Sequence, residues 1–336
     1  MKLVIDAYGG DNAPAAVIEG IAAARPKYRD VEFILTGDEA GIGEELKKHD
    51  IDRGRITIVH APDVITCDEQ PTVAVKRKKD SSLVVAMNIM ARHEADCLIS
   101  AGSTGAVLTG ATLIVRRIPG VKRPALATPV PSPKQPFLLL DCGANADCKP
   151  EYLQQFAVMG SAYMSGVMGI ESPRVGLVNN GEEEAKGNEL TKAAHALLKE
   201  TPVDFRGNCE GREIFSGDYD VVVTDGFTGN VILKEAEGFA SALFTILKRE
   251  LTSSFKSKLG AGLAKPAFKR VKKLMDYTEY GGAPLLGING GIIKAHGSSN
   301  GHAFESAIRQ AVAYVNGGVT EKIARGIAAI DTGAEE

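Results

Sequence analysis

Five short polar loops carry the residue types that ligand binding and catalysis use: DAYGGD (6–11), SAGSTG (100–105), DCGAN (141–145), NNGEEEAKGNE (179–189) and DGFTGN (225–230). In SAGSTG, backbone N–H groups and the hydroxyls of Ser103 and Thr104, ahead of Gly105, would form an anion site at a helix start. The plainer alternative is a glycine turn needed only for tight strand–helix packing. Asp6 and Asp11 flank Gly9 and Gly10. Paired carboxylates suit a metal or acid–base work, and an N-cap role for Asp11 ahead of Pro14 fits equally. Lys186 follows three glutamates and is either a counter-charge for phosphate or a surface lysine. Asn145, Asp225 and Asn230 sit at strand ends, so each is a site candidate with turn formation as the competing role.

A sixth loop, HGSSNG (296–301), contains the G-x-S-x-G spacing of a nucleophile elbow. The only later histidine is His302, too close to complete a Ser-His-acid triad, so none is expected. His296 is left as a contact for an anion or a thioester, with a helix N-cap at Ser298 or Ser299 as the alternative. The nearest G-x-G-x-x-G, at 41–46, lacks its third glycine, and no G-x-x-x-x-G-K-[ST] occurs. Neither a dinucleotide nor a Walker-type nucleotide site is therefore expected. The five cysteines are scattered and form no C-x-x-C, so neither a zinc ribbon nor a redox pair is expected; the site as a whole is expected to use no metal and no cofactor.

The elements that must hold these loops alternate along the chain. Short apolar, β-branched runs fall at 3–6, 32–36, 57–60, 97–100, 137–141, 174–177 and 221–224; helix-like segments include 14–24, 82–92, 189–199 and 302–316. Strand then helix, repeated, predicts an α/β fold with a mostly parallel sheet covered on both faces. Ligands in such sheets bind beyond the carboxyl ends of the strands, where these loops would lie. A chain of 336 residues has room for one large α/β domain or two smaller ones; a single domain over 1–330 is expected. The absence of Trp and an aromatic content of 6% weaken any nucleic-acid partner, and a net charge of −3 is neutral on the point. With no disulfide framework, a reducing cytoplasm is the expected home. MKLVIDAYGGD reads as a strand entering a glycine turn rather than a signal peptide.

Two uncharged stretches, 97–115 and 152–170, are long enough to cross a membrane. Their polar residues, among them Ser100, Ser103, Gln154 and Gln155, fit a buried strand-loop-helix and a core helix better. Residues 248–273 differ from the rest, with nine basic residues against one acid, Glu250. Leu251, Phe255, Leu259 and Leu263 recur every four positions as a helical apolar stripe, which Pro266 interrupts before Phe268. A basic amphipathic helical hairpin at about 235–276 suits a membrane surface or a partner groove. A dimer-forming hairpin with solvated lysines fits as well.

In order, DAYGGD, RKKDSSL, ISAGSTGA, LLDCGANADCKPEYLQQFA, VGLVNNGEEEAKGNEL, FRGNCEGREI, VVVTDGFTGNVILKEAEG, YGGAPLLG and AHGSS make the chain resemble the PlsX family of acyl-acyl-carrier-protein:phosphate acyltransferases. The resemblance runs nearly end to end. Tyr8 stands where that family usually has methionine, and Ser103 where asparagine is usual. The resemblance implies a three-layer, Rossmann-like α/β/α sandwich, similar to phosphotransacetylases and isocitrate/isopropylmalate-type dehydrogenases, with a protruding helical hairpin. It implies reversible transfer of a fatty acyl group from acyl carrier protein to inorganic phosphate, early in bacterial phospholipid synthesis. It also implies a homodimer, peripheral membrane association, and a membrane-bound glycerol-3-phosphate acyltransferase that consumes the acyl phosphate.

On that chemistry, Lys186 and the Ser103, Thr104 and Gly105 turn would hold phosphate, with Gly9 and Gly10 beside them. Asn145, Asn230 and His296 would polarise the carbonyl or receive the thiolate, and Asp225 would orient Lys186. An acidic carrier protein would dock on a basic surface that includes Arg77, Lys78 and Lys79, and Leu251, Phe255 and Leu259 would meet lipid. No covalent acyl-enzyme is expected, because no cysteine or serine has a plausible base. The competing functions are a phosphotransacetylase-like enzyme using acyl-coenzyme A and a non-catalytic scaffold recruited to membranes.

Overall fold

The computed structural model describes residues 1–51, 53–274 and 280–331. In chain order it opens with β1 (Lys2–Asp6), α1 (Ala15–Ala24), β2 (Glu32–Gly37), α2 (Glu39–Lys48) and β3 (Ile56–His60). Next come α3 (Pro71–Arg77), α4 (Ser82–Ala91), β4 (Cys97–Ser100), α5 (Thr104–Gly110), β5 (Ala125–Leu126), β6 (Thr128–Val130) and β7 (Phe137–Leu140). Then follow α6 (Pro150–Val167), β8 (Arg174–Asn179), α7 (Glu189–Glu200), β9 (Asp204–Glu210) and β10 (Val221–Val223). The last elements are α8 (Gly226–Leu251), α9 (Phe255–Leu274), β11 (Ala283–Leu286), β12 (Gly291–Lys294), α10 (Gly301–Asn316) and α11 (Val319–Asp331).

Where one sheet was expected from the sequence, the strands form two. The first runs β3-β2-β1-β4-β12-β11-β5 and the second β6-β7-β10-β8-β9. Strands β3 to β12 of the first are parallel, as are β7, β10, β8 and β9 of the second. The antiparallel additions are β11, β5 and β6. Only Ala127 separates β5 from β6, so the chain passes from one sheet to the other within a single short crossing.

Burial explains why these runs are strands. β4, β7, β10 and β12 are buried at every residue, as parallel strands covered on both faces must be. Alternate residues then choose a layer. Leu3, Ile5 and Ile99 pack with Ile18 of α1 and Ile308 of α10, whereas Val4 and Leu98 pack with Met87 and Met90 of α4. The first cluster continues through Phe156 and Met159 of α6 to Leu138, Val175 and Val221 of the second sheet. The stretch 152–170 is therefore mostly core helix, and 97–115 runs from β4 through α5. No helix among the described residues is long and apolar enough to cross a membrane.

The hairpin differs from the sequence pattern in three ways. Its first helix starts at Gly226 rather than near 235, and Thr252, Ser253 and Ser254 separate it from α9. The four-residue stripe is thus broken, with Leu251 ending one helix and Phe255 beginning the next. Pro266 lies inside α9 rather than ending it; an interior proline forfeits one backbone hydrogen bond without forbidding the helix. Phe255 and Leu263 are each 82% exposed.

One topological feature places the site. From β1 the chain steps to β2 and β3 on one side, then returns to β4 on the other side of β1. That reversal puts the loops after β1 and β4 side by side at the carboxyl edge of the sheet, the edge where α/β sheets bind ligands.

Candidate active site

Three loops interlock at that edge. The buried Asp6 carboxylate accepts from Ser100 Oγ at 2.7 Å, and Ser100 Oγ in turn accepts from Gly102 N at 3.1 Å. Burial raises the Asp6 pKa above the ordinary carboxylate value. Asp11 N donates to Gly297 O at 2.8 Å, and Asn12 Nδ2 donates to the carbonyls of Ser298 and Ser299 at 3.2 Å. A Cβ on Gly9 would lie 2.8 Å from Gly102 N; Gly10 has φ +97° and a Cβ there would lie 2.8 Å from Gly297 O. The two glycines thus let the loops close on one another. Gly105 does the same for helix packing, since a Cβ would meet Pro71 Cγ at 2.6 Å.

Several side chains serve caps that the sequence left open. Ser103 Oγ accepts from Ala106 N at 3.4 Å as the N-cap of α5. Of that turn, Thr104 lines the cavity described below. Asp11 does not cap α1, whose N-cap position is Pro14, and Asn300 rather than Ser298 or Ser299 caps α10. Tyr8 packs against Gly37 and Gly41 beside α2 instead of lining the cavity.

A second pair of loops closes from the other sheet. The buried Asp141 carboxylate accepts from the amides of Leu126, Gly143, Ala144 and Asn145 at 2.7–3.1 Å and from Asn145 Nδ2 at 2.9 Å. Asn145 Nδ2 also donates to Pro124 O at 2.7 Å, so both its amide protons hold the loop and neither is offered to a substrate. Gly226 N donates to Asn145 O at 2.7 Å, which joins this loop to the start of α8. Asp225 caps α8, accepting from Thr228 N and Thr228 Oγ1, each at 2.8 Å. Its carboxylate is therefore turned to the helix and not to Lys186. Lys186 is exposed in the loop after β8 and is not among the cavity-lining residues.

Between the two loop sets lies a cavity of about 750 Å³. Its polar lining includes Thr104, Thr128, Asn230, Lys234, Glu237, Tyr280, Lys294, His296 and Ser299; Leu126, Val130, Phe215, Phe227 and Leu233 are among its apolar lining. Of the five catalytic candidates read from sequence, Asn230 and His296 lie in this lining. His296 Nδ1 accepts from Ser298 N at 3.3 Å and lies 2.8 Å from Ser298 Oγ. An accepting Nδ1 puts the proton of neutral imidazole on Nε2, making that atom a donor.

Lys294 was missed by the sequence reading. It ends β12 directly after two isoleucines, a position that marks a lysine at the carboxyl end of a buried strand. Its ammonium donates to Ala295 O, and burial pushes its pKa down to about 8. The proposed docking residues also divide. Lys78 donates to Glu69 Oε2 and Val64 O, each at 2.8 Å, and so braces its own loop, while Arg77 and Lys79 are exposed. Among the described residues no cluster of three His, Cys, Asp or Glu side chains could hold a metal ion.

The chain matches the model of the family described as fatty acid synthesis protein over residues 1–322. A phosphate acyltransferase from Clostridium novyi (strain NT) is 51% identical over 323 residues, 96% of this chain and 97% of that one. Another from Clostridium acetobutylicum is 50% identical over 325 residues, with 97% and 98% of the two chains covered. The fold is similar to that of a phosphotransacetylase from Streptococcus pyogenes, with TM-score 0.61, 18% identity and 94% of each chain covered. The EutD phosphotransacetylase from Staphylococcus aureus gives TM-score 0.59 at 16% identity, again with 94% of each chain covered. These likenesses agree with a Rossmann-like α/β architecture. With half its residues identical to these relatives from end to end, the chain belongs to the PlsX family of phosphate acyltransferases.

Proposed function

We propose that the protein moves a fatty acyl group reversibly from acyl carrier protein onto inorganic phosphate, giving acyl phosphate for phospholipid synthesis. The observation that carries this is the combined polar and apolar lining of the cavity. Thr104, Asn230 and His296 offer hydrogen bonds, and Leu126, Val130, Phe215, Phe227 and Leu233 supply apolar surface in the same cavity. Phosphate and a thioester carbonyl suit the polar groups; a long acyl chain suits the apolar ones, which an acetyl group would leave largely unused.

The chemistry follows from those groups. Phosphate near neutral pH is already partly a dianion, so it needs positioning more than activation. Its attack on the thioester carbon places negative charge on the carbonyl oxygen, which the Asn230 amide and the His296 ring are placed in the lining to receive. Losing one well-aimed donor of this kind costs ~3 kcal/mol of transition-state stabilisation. The expectation that no serine has a base beside it does not hold, since His296 Nδ1 lies 2.8 Å from Ser298 Oγ; Ser298 is however outside the cavity lining, so direct transfer is favoured over an acyl-enzyme. Cys142, the cysteine in the lining, is buried, its thiol is pushed up to about 12 by that burial, and it donates to Leu139 O. Such a thiol is a poor nucleophile.

The remaining assignments concern partners. An acidic carrier protein would meet Arg77 and Lys79 by charge complementarity. Exposed Phe255 and Leu259 on α9, with the lysines around them, would rest on anionic lipid. Exposed Phe239 and Leu243 nearer the base of α8 would form a homodimer contact. Such a cytoplasmic, peripherally bound enzyme would deliver its product to a membrane-bound glycerol-3-phosphate acyltransferase. The likeness to phosphotransacetylases favours a second reading, in which the donor is acyl-coenzyme A.

The deciding assay measures acyl phosphate formed from phosphate and long-chain acyl carrier protein, with the matching acyl-coenzyme A in parallel. Product from the carrier-protein donor is expected. Product from the coenzyme A thioester alone would support the second reading, and product from neither would refute both.

A further inference from the structure

Lys294 is the one lysine or arginine buried among the described residues, with 8% of its surface exposed, and it lines the cavity. Nothing in the packing of β12 requires its charge. In register it sits beside Ser100 of β4 and Ala283 of β11, both uncharged. Among the described residues its ammonium donates to the carbonyl of its own neighbour, Ala295. An ammonium has three donors, so two are left for a ligand in the cavity. A buried charge kept without a close ion-pair partner and turned into a cleft marks a functional group.

We propose that Lys294 is a catalytic residue of the acyl transfer: its ammonium binds the attacking phosphate and passes a proton to the departing thiolate. This rests on the phosphate reading of the cavity given above. An oxygen of HPO₄²⁻ forms the new C–O bond to the thioester carbon, and collapse of the tetrahedral adduct breaks the C–S bond. The sulfur leaves with the bonding pair and takes a proton from Lys294, giving thiol and neutral amine. The acyl phosphate still carries the P–OH proton, which it gives to the amine, restoring the ammonium. The net result moves one proton from phosphate to sulfur and draws none from solvent.

The surroundings of Lys294 suit a group that both holds and releases a proton. Asp6 at the end of β1, Asp11 in the following loop and Cys67 in the loop before α3 face it electrostatically; His296 is the titratable group on its own loop, and Lys234 and Glu237 of α8 and Tyr280 before β11 line the same cavity. Burial is the largest influence and brings the amine to about 8, with Asp6, Asp11 and Cys67 acting in opposition. Amine and ammonium are then both accessible near neutral pH, as a proton carrier requires. A surface lysine, near 10.4, would give up its proton far less readily.

The test uses the full chain with long-chain acyl thioester and phosphate, reading kcat, the phosphate KM and the pH profile for wild type, Lys294→Met and Lys294→Arg. Lys294→Met is expected to lower kcat by about 10²–10⁴-fold, the span of general acid–base catalysis. Lys294→Arg is expected to keep the phosphate KM within a few-fold while losing turnover, because guanidinium does not release its proton. The basic limb of wild-type kcat should vanish in that variant, a change that a structural role would not produce. Small alkylamines should restore part of the turnover of Lys294→Ala. Wild-type kcat and pH limb in Lys294→Arg would overturn the assignment, even if Lys294→Met failed to fold. An active wild type unaffected by Lys294→Met would overturn it alone; a wild type inactive with every thioester would overturn the phosphate reading with it.

Discussion

Replacing Lys294 by methionine should stabilise the resting protein. The ammonium is 8% exposed, and burial lowers its pKa from the ordinary 10.5 to about 8. That gap corresponds to roughly 3 kcal/mol of unfavourable charging in the fold. Below pH 8 the lysine is charged in both folded and unfolded chains, and the penalty is fully present. Between about 8 and 10.5 the unfolded chain binds more protons, so stability rises with pH through that window; above it the penalty is gone. Methionine keeps the length of the stem and removes the charge, but it also loses the bond to Ala295 O, worth about 1 kcal/mol. A net gain of roughly 1–3 kcal/mol at pH 7 is expected, shrinking to nothing or reversing near pH 10.5. Urea unfolding followed by circular dichroism, on both proteins at both pH values, measures it. A variant less stable than wild type at pH 7 would refute the reasoning, as would an equal gain at both pH values. Stabilisation with lost turnover is the signature of a charge kept for chemistry.

Asp141→Ala should unfold the DCGAN loop, because four backbone amides lose their common acceptor. A loss of about 3–5 kcal/mol is expected in chemical denaturation, and a loss below about 1 kcal/mol would show that water replaces the carboxylate. Lys186→Ala should cost less turnover than Lys294→Met, since Lys186 is exposed and outside the cavity lining; the opposite order would return phosphate to the loop after β8. Replacing Phe255 and Leu259 by serine should weaken sedimentation with anionic liposomes while leaving turnover on soluble donor unchanged. Unchanged binding would remove α9 from the membrane contact.

Much of the fold could be read from residue order alone. Strands buried on both faces, such as β4 and β7, appear in sequence as short unbroken apolar runs, and the glycine and polar loops mark where they end. β12 is buried throughout and escaped notice because its apolar run is only two isoleucines between Gly291 and Lys294; the other missed strands lack the signal for physical reasons. β9 is an edge strand with only Asn208 and Cys209 buried, β11 and β6 contain Pro284 and Pro129, and β5 has two residues. Division into two sheets depends on those same weak strands, so it was not visible either.

The same limit separates the candidate site residues. The sequence alone determined the family, the α/β alternation and the set of loops from which a site must be built, because these depend on residue type and order. Which side chains face a ligand depends on hydrogen bonds that only folding creates. Asn145, Asp225 and Ser103 looked available in sequence, yet each is taken by a loop or a helix start. Lys294 looked like the end of a strand and proves to be a buried cation in the cavity. Its altered acidity comes from desolvation by elements distant in the chain, and the tertiary structure alone decides that.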